Sequence, residues 1–234
     1  MTWLAGVDGC RAGWFRICRS ESSGELAFHV ARSVAELLSL PPQPAVVALD
    51  MPIGLPASGP RACDREARAR LGPRRSSVFP APIRATLRGR TRTEAAEIAF
   101  RIDGRKISAQ AWGIVAKIRE VDTALAASPA ARAAIREVHP ELSFWAWNRG
   151  APMRAAKRTP EGRAERLALA EHWLGAGILA RARGTCTKAE LADDDILDAV
   201  ALLWTAHRIA RGEAATLPAS PPRDETGLPM QIVF

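Results

Sequence analysis

The residues of this sequence best suited to chemistry are aspartates far apart in the chain, each placed where a predicted element begins or ends. Asp8 and Asp50 each follow a short apolar run. Asp195 and Asp198 are three residues apart near the start of a predicted C-terminal helix, so they share a helix face. Bringing carboxylates together costs free energy, because like charges repel and raise one another's pKa. Bound Mg²⁺ or Mn²⁺ would offset that cost, since both ions prefer oxygen ligands. The pattern indicates metal-assisted phosphate chemistry.

Taken singly, each aspartate also has a structural explanation. Asp8 and Asp50 precede turns, where a carboxylate often accepts hydrogen bonds from local backbone amides. Asp193 and Asp194 suit the first turn of a helix, where acids cap free amides and interact favourably with the helix dipole, and we assign them that role. Capping does not explain Asp198, which lies beyond the first turn.

The first fifty residues predict the scaffold that would bring Asp8 and Asp50 together. A three-stranded antiparallel meander is predicted, followed by a helix capped by Ser33 and a fourth strand. The strands cover 3–7, 14–18, 26–30 and 45–49, and the helix runs to about residue 40. The continuous apolar run of the fourth strand is typical of a strand buried on both faces, as in a parallel pairing. If the first and fourth strands are parallel neighbours, both aspartates emerge at one sheet edge, where open α/β sheets bind ligands.

The rest of the chain predicts a mainly helical and basic insertion at about 52–129, then a return to the sheet, within one domain that covers 1–234. Helices are predicted at 61–71, 92–102, 109–127, 160–183 and 194–211, with a strand at 135–141. Between the first two helices, the proline-rich segment 73–84 predicts an extended basic strap. Its Arg74, Arg75 and Arg84, with Lys117, are candidate phosphate contacts, and a solvated surface explains them equally well. Glu137, His139 and Glu141 alternate along this strand and would lie on the acidic side, although Pro140 and ordinary solvation of a strand edge explain them equally well.

Composition sets broader limits. The net charge of +8, carried mostly by arginine, favours polyanionic partners such as nucleic acid, although a bias in coding composition would give the same charge. The four cysteines show no zinc-binding spacing, so we expect reduced thiols in a cytoplasmic protein. Neither a signal peptide nor a membrane-spanning run is recognisable, and we expect no membrane partner.

Several motifs extend these inferences to a resemblance. The motifs cover 6–14, 50–56, 61–64, 76–79, 110–112, 117–122 and 137–141, with Asp224, Gly227 and Leu228. This set resembles the domain-of-unknown-function family 429, whose members are described as predicted nucleases of RNase H-like fold. The segment 194–201 is also similar to the acidic C-terminal helix of RuvC-type junction resolvases.

The resemblance implies an RNase H-like α/β fold, a mixed sheet with flanking helices and a helical insertion. It implies metal ligands at Asp8, Asp50 and Asp198, with Asp195 as a further catalytic candidate. Two Mg²⁺ or Mn²⁺ ions about 4 Å apart would then hydrolyse phosphodiester bonds of DNA or RNA. Two alternatives remain open: a nucleotide-binding or phosphotransfer protein of actin and sugar-kinase-like fold, and a non-catalytic nucleic-acid-binding module.

Overall fold

The computed structural model describes residues 1–184 and 186–234 and is built around one mixed sheet of five strands. The strands are β1 Trp3–Cys10, β2 Gly13–Ser20, β3 Leu26–Ala31, β4 Val46–Leu49 and β5 Ile135–Glu137. Their order across the sheet is β3-β2-β1-β4-β5. The first three strands pair antiparallel, whereas β4 is parallel to both β1 and β5. The predicted meander and the parallel pairing of β1 with β4 are therefore confirmed.

The sheet register places Asp8 and Asp50 side by side where the pairing of β1 with β4 ends, although β1 itself continues along β2 to Cys10. Val7 lies opposite Leu49, so the two aspartates follow directly at the same edge. The amide of Asp50 donates to the carbonyl of Val7 over 3.0 Å and carries the pairing one residue further. This edge is the carboxyl end of both strands.

The helices that follow β3 largely match the predicted ones. Helix α1 (Val34–Ser39) begins at Ser33, whose hydroxyl accepts from the amide of Glu36 over 3.2 Å. The insertion contains α2 (Ala62–Leu71), α3 (Arg92–Asp103) and α4 (Ala109–Ala127). The extended strap predicted at 73–84 is wrong over its first half, because Gly72–Ser77 forms a 3₁₀ turn. Proline fixes φ near the helical value, which suits a first helical turn.

The second half of the chain corrects two further predictions. A short helix α5 (Pro129–Ala134) leads into β5, and the strand predicted at 135–141 ends at Glu137. Pro140 then opens helix α6 (Pro140–Trp147), since a proline at the first helical position loses no hydrogen bond.

The single helix predicted at 160–183 is two helices, α7 (Pro160–Leu174) and α8 (Ile178–Ala182). Gly175 and Gly177 separate them with φ values of 85° and 76°, a backbone conformation that interrupts a right-handed helix. Helix α9 (Asp193–Ala210) follows, and a small two-stranded sheet pairs β6 (Thr216–Leu217) with β7 (Ile232–Val233).

Alternation along β1 decides which residues meet which helix. Ala5 and Val7 join a core with α1 and α4 on one face of the sheet, whereas Leu4 joins α9 on the other. Gly6 shares the α9 face, and there the helix backbone passes so close that an added Cβ would lie 2.1 Å from a helix carbonyl. Asp8 is next along that face, so it points to the side of the sheet that α9 covers. Among the described residues, no helix is long and apolar enough to cross a membrane.

Candidate active site

A cavity of about 660 Å³ opens at the carboxyl end of β1 and β4. Asp8, Asp50 and Asp198 all line it, from two strand ends and one helix. Asp8 is 7% exposed and Asp198 is 2% exposed, so both carboxylates are largely withdrawn from solvent. The structure thus brings together the three residues that the resemblance implied as metal ligands.

Asp198 reaches the cavity because α9 crosses β1 at Gly6. Its Oδ2 accepts a hydrogen bond of 2.5 Å from the ammonium of Lys157, on the connection between α6 and α7. Its Oδ1 is buried and has no hydrogen-bond partner within the described residues. A buried carboxylate oxygen without a partner is costly, and a bound ligand or ion would remove that cost.

The three carboxylates perturb one another. Burial raises the pKa of Asp8 well above its ordinary value, and repulsion from Asp50 and Asp198 adds to the shift. Burial also raises the pKa of Asp50, which His139 and Lys157 oppose. The pKa of Asp198 rises to about 6, chiefly through burial, although Lys157 lowers it. Shifts of this origin are typical of functional sites that gather like charges.

The other acids of α9 lie outside the cavity lining. Asp195 accepts a hydrogen bond of 3.0 Å from the amide of Ala192, so its carboxylate caps the helix. It still contributes to the raised pKa of Asp8. Asp193 pairs with Arg183 and, at 3.5 Å, with Arg163. Asp195 therefore differs from the three cavity aspartates in position and in partners.

Glu137 lines the cavity but is held in a buried ion network. Arg61 donates to both of its oxygens, at 2.7 Å and 2.6 Å, and also to Asp64 at 2.6 Å. The amide of Ile53 donates to Glu137 over 2.5 Å. Since each oxygen of Glu137 is bonded, its role in this structure is to fix the end of β5 against the turn after β4.

Glu141 is closer to a ligand-binding role. Its Oε1 pairs with Arg166 at 2.5 Å, while its Oε2 is buried with no partner in the described parts of the chain. His139 also lines the cavity, with Nε2 3.3 Å from the carbonyl oxygen of Ser77 and a buried Nδ1 that has no described partner. The correction of the strand at 135–141 places both residues at the start of α6, and both still face the cavity.

The basic candidates separate into two groups. Arg74 and Lys117 line the cavity, whereas Arg75 and Arg84 do not. Arg75 is exposed. Arg84 forms ion pairs with Asp122 at 3.0 Å and with Asp224, near the C-terminus, at 2.5 Å. Arg84 thus ties the insertion to the C-terminal segment.

Comparison with known protein families shows to which family this chain belongs. A family model described as "Protein of unknown function (DUF429)" matches residues 6–223. The chain belongs to this family. No curated protein and no solved structure matches it. The family places nearly the whole chain in one known group of sequences, and the geometry of the site carries the argument about function.

Lys157, Arg158 and Phe79 line the cavity of this DUF429 protein, and none of them was predicted from the sequence to have a functional role, although Phe79 lies in the motif 76–79. Phe79 is 47% exposed, although most large apolar side chains of the chain are buried. The sequence has one feature that bears on Lys157, which is the rarity of lysine in this chain. The sequence contains only four lysines against 29 arginines, and two of the four, Lys117 and Lys157, line this cavity. A compact ammonium and a planar guanidinium bind differently, but Lys106 and Lys188 lie outside the cavity, so rarity alone does not identify Lys157.

The donor chemistry of the site suits a divalent cation. Asp8 and Asp50 repel Asp198, and the unpartnered oxygens of Asp198 and Glu141 are hard donors. In the arrangement described, however, no three His, Cys, Asp or Glu side chains among the described residues are grouped tightly enough to hold a metal ion. The donors lining the cavity therefore suit a cation by their chemistry, whereas the described side-chain positions do not form a complete ligand set.

Proposed function

We propose that this protein is a divalent-metal-dependent hydrolase of phosphodiester bonds in nucleic acid. The observation that carries the proposal is that three aspartates, two of them buried and Asp50 half-buried, line a single cavity from two parallel strands and one helix. Hydrolysis of this kind needs a cation held by oxygen ligands beside a bound phosphate, and the cavity has both acidic and basic residues for these tasks.

The topology supports an RNase H-like assignment. Three antiparallel strands, a helix and a fourth strand parallel to the first form the order β3-β2-β1-β4-β5. A later helix brings its carboxylate to the end of the first strand. The fold that the family resemblance implies carries acids on these three elements, and this likeness supports the proposal.

Basic residues of the cavity would bind the nucleic-acid backbone. Arg74 is fixed by donating to the carbonyl of Met153 over 3.0 Å, and Arg158 and Lys117 also line the cavity. Contacts of this kind are largely independent of sequence and weaken as salt rises, because phosphate neutralisation releases counterions. The net charge of +8 has the sign that such binding requires.

A bound divalent cation would supply Lewis-acid stabilisation of the phosphate and of the attacking oxygen. The protein side chains would do the rest. Asp8 and Asp50 would orient the reacting groups from fixed strand ends, and Asp198 would present its open oxygen. Water adds to phosphorus, the bond from phosphorus to the leaving oxygen breaks, and that oxygen takes up a proton. The products are a phosphate monoester and a free hydroxyl.

The glycine turn between β1 and β2 bears on the phosphotransfer alternative, which would use it to cradle a phosphate. Gly13 has a φ of 133°, and a Cβ at this position would lie 2.3 Å from the carbonyl of Ala31. The approach of β3 therefore accounts for the glycine without a bound phosphate.

The proposal is tested by incubating purified protein with Mn²⁺ or Mg²⁺ and with single-stranded, double-stranded and branched DNA and RNA. We expect cleavage of at least one substrate, and we expect Asp8→Asn to cleave it much more slowly than the wild type, because a cation ligand is removed. Asp194→Asn is the matched control, since Asp194 lies on α9 outside the cavity. Cleavage of no substrate, or equal cleavage by wild type and Asp8→Asn, would contradict the proposal.

A further inference from the structure

A second cavity, of about 380 Å³, lies beside β5, the outermost strand on one side of the sheet. The turn after β4, helices α4 and α5, strand β5 and the C-terminal segment 221–231 contribute to its walls. Arg132, Arg136 and Arg223 line it; Arg136 is half-buried and the other two are exposed. Glu137 lines both this cavity and the candidate active site, so the two cavities share one residue. The three arginines have no part in the proposed hydrolysis.

The acids around this second cavity do not pair with its arginines. Within the described residues, none of the three guanidinium groups forms an ion pair. Glu137 lines the cavity but accepts hydrogen bonds from Arg61 with both of its oxygens. The acids of the C-terminal segment, Asp224 and Glu225, pair with Arg84 and lie outside the lining. The cavity therefore presents three guanidinium groups that no described carboxylate contacts.

Each of the three guanidinium groups is held by a backbone carbonyl and still has unused N–H groups. Arg132 donates to a carbonyl in the last turn of α4 over 2.7 Å. Arg136 donates to the carbonyl of Ile135 over 2.8 Å, and Arg223 donates to that of Gly227 over 2.6 Å. These bonds use Nε or Nη1, and no Nη2 of the three donates to a group in the described part of the chain. The side chains are thus positioned in advance, with the N–H groups of each Nη2 left for a ligand.

The chemistry of these donors suits a phosphate group. A guanidinium is a planar fork that can bind two oxygens of one phosphate and stays charged at neutral pH. The volume of the cavity is at the small end of the range for ligand sites, which is about 300–1,000 Å³, so a phosphate group with a small attached moiety fits it.

We propose that this second cavity binds one phosphate group through Arg132, Arg136 and Arg223. The same contacts would hold a phosphate of a nucleic-acid backbone and that of a small phosphorylated molecule. The proposal does not rest on the proposed hydrolase function, because the three arginines lie outside the lining of the candidate active site.

The first experiment titrates inorganic phosphate into the full-length protein by isothermal calorimetry, in a metal-free buffer of low ionic strength. We expect saturable binding by the wild type. Arg136→Gln and Arg223→Gln should each weaken this binding about 10-fold, the loss expected for one charge-assisted hydrogen bond. Arg105→Gln removes the same charge from an exposed position outside both cavities, so its phosphate affinity should match that of the wild type.

The second experiment identifies the source of the phosphate, by fluorescence anisotropy of a labelled single-stranded oligonucleotide with the same variants. Weaker oligonucleotide binding by Arg136→Gln than by Arg105→Gln would assign the phosphate to a nucleic-acid backbone. Equal oligonucleotide binding by the two variants, with phosphate binding weakened only in Arg136→Gln, would assign it to a small phosphorylated ligand. Both results support the site.

Absence of saturable phosphate binding by the wild type would overturn the inference. Equal phosphate affinities of Arg136→Gln, Arg223→Gln and Arg105→Gln would overturn it too, since the arginines would then serve only to hold backbone carbonyls. Should Arg136→Gln fail to fold, Arg223→Gln decides, because it alters an exposed residue of the C-terminal segment. Neither experiment contains a divalent ion or measures cleavage, so failure of the proposed hydrolase function would leave this inference standing.

Discussion

Asp198→Asn tests whether the buried, ionised carboxylate of Asp198 destabilises the metal-free protein. The pKa of Asp198 is about 6 in the folded chain, against about 3.9 in an unfolded chain. Because the folded pKa is the higher one, the folded state binds the proton more tightly. The stabilisation is fully present below pH 4 and is lost as the pH rises through about 6. A difference of about two pKa units corresponds to about 3 kcal/mol.

Asparagine keeps the shape of the side chain and cannot ionise. We therefore expect metal-free Asp198→Asn at pH 8 to be more stable than the wild type by up to about 3 kcal/mol, or about 6–12 °C in Tm. The attraction of Lys157 is already included, since it opposes the shift. At pH 4 the difference should nearly vanish, because the wild-type carboxyl is then protonated.

The assay is urea unfolding followed by circular dichroism, at intervals from pH 4 to pH 8, in a chelating buffer. Asp194→Asn, on the same helix but outside the cavity, should retain the wild-type pH dependence. A wild-type stability that does not fall between pH 4 and pH 7 would refute the reasoning. So would an Asp198→Asn variant that is less stable than the wild type at pH 8.

Three further predictions concern binding and folding. Phe79 is an exposed ring at the cavity, and stacking of such a ring on a base contributes about 1–3 kcal/mol to binding. Phe79→Ala should therefore weaken binding of a single-stranded oligonucleotide by about 5- to 150-fold. Fluorescence anisotropy measures this, with exposed Phe100→Ala as the control. Gly6→Ala should destabilise the fold by about 3 kcal/mol, because its Cβ would meet the backbone of α9. Its control is Gly113→Ala, which has open space around the added Cβ and should instead stabilise the chain by about 0.5–1 kcal/mol in the same urea assay. Arg61→Met should cost about 3–5 kcal/mol, since it leaves two buried carboxylates without their partner.

Each of these predictions has a contrary result. Equal oligonucleotide affinity of Phe79→Ala and the wild type would remove the ring from the binding surface. A Gly6→Ala variant as stable as the wild type would mean that α9 does not lie against β1 as described. An Arg61→Met variant of unchanged stability would show that the ion network at the end of β5 is not required for folding.

The elements that position the aspartates were predictable from the sequence, because local patterns determine them. The apolar runs before Asp8 and Asp50 end in a change of polarity, and Ser33 marks a helix start through its own hydroxyl. In α9, apolar residues recur at helical spacing (Ile196, Leu197, Val200 and Leu203), and this pattern alone predicts the helix that carries Asp198. In each case the signal lies within a few residues of the element that it predicts.

The partners of these residues were not predictable, because they depend on packing between distant segments. Lys157 comes from a connection with little regular structure, 41 positions before Asp198. The pairing of Arg61 with Glu137 spans 76 positions. The strand at 135–141 was predicted too long for a related reason: alternation continued through Pro140, and only the helix that follows shows where pairing stops.

The most direct test of the central claim is anomalous diffraction from crystals soaked in Mn²⁺. The account predicts an anomalous peak within about 2.0–2.3 Å of carboxylate oxygens of Asp8 and Asp50, with Lys157 still paired to Asp198. Absence of any peak in this cavity at saturating Mn²⁺, or a peak bound only by residues outside it, would contradict the claim that the three aspartates form a cation site.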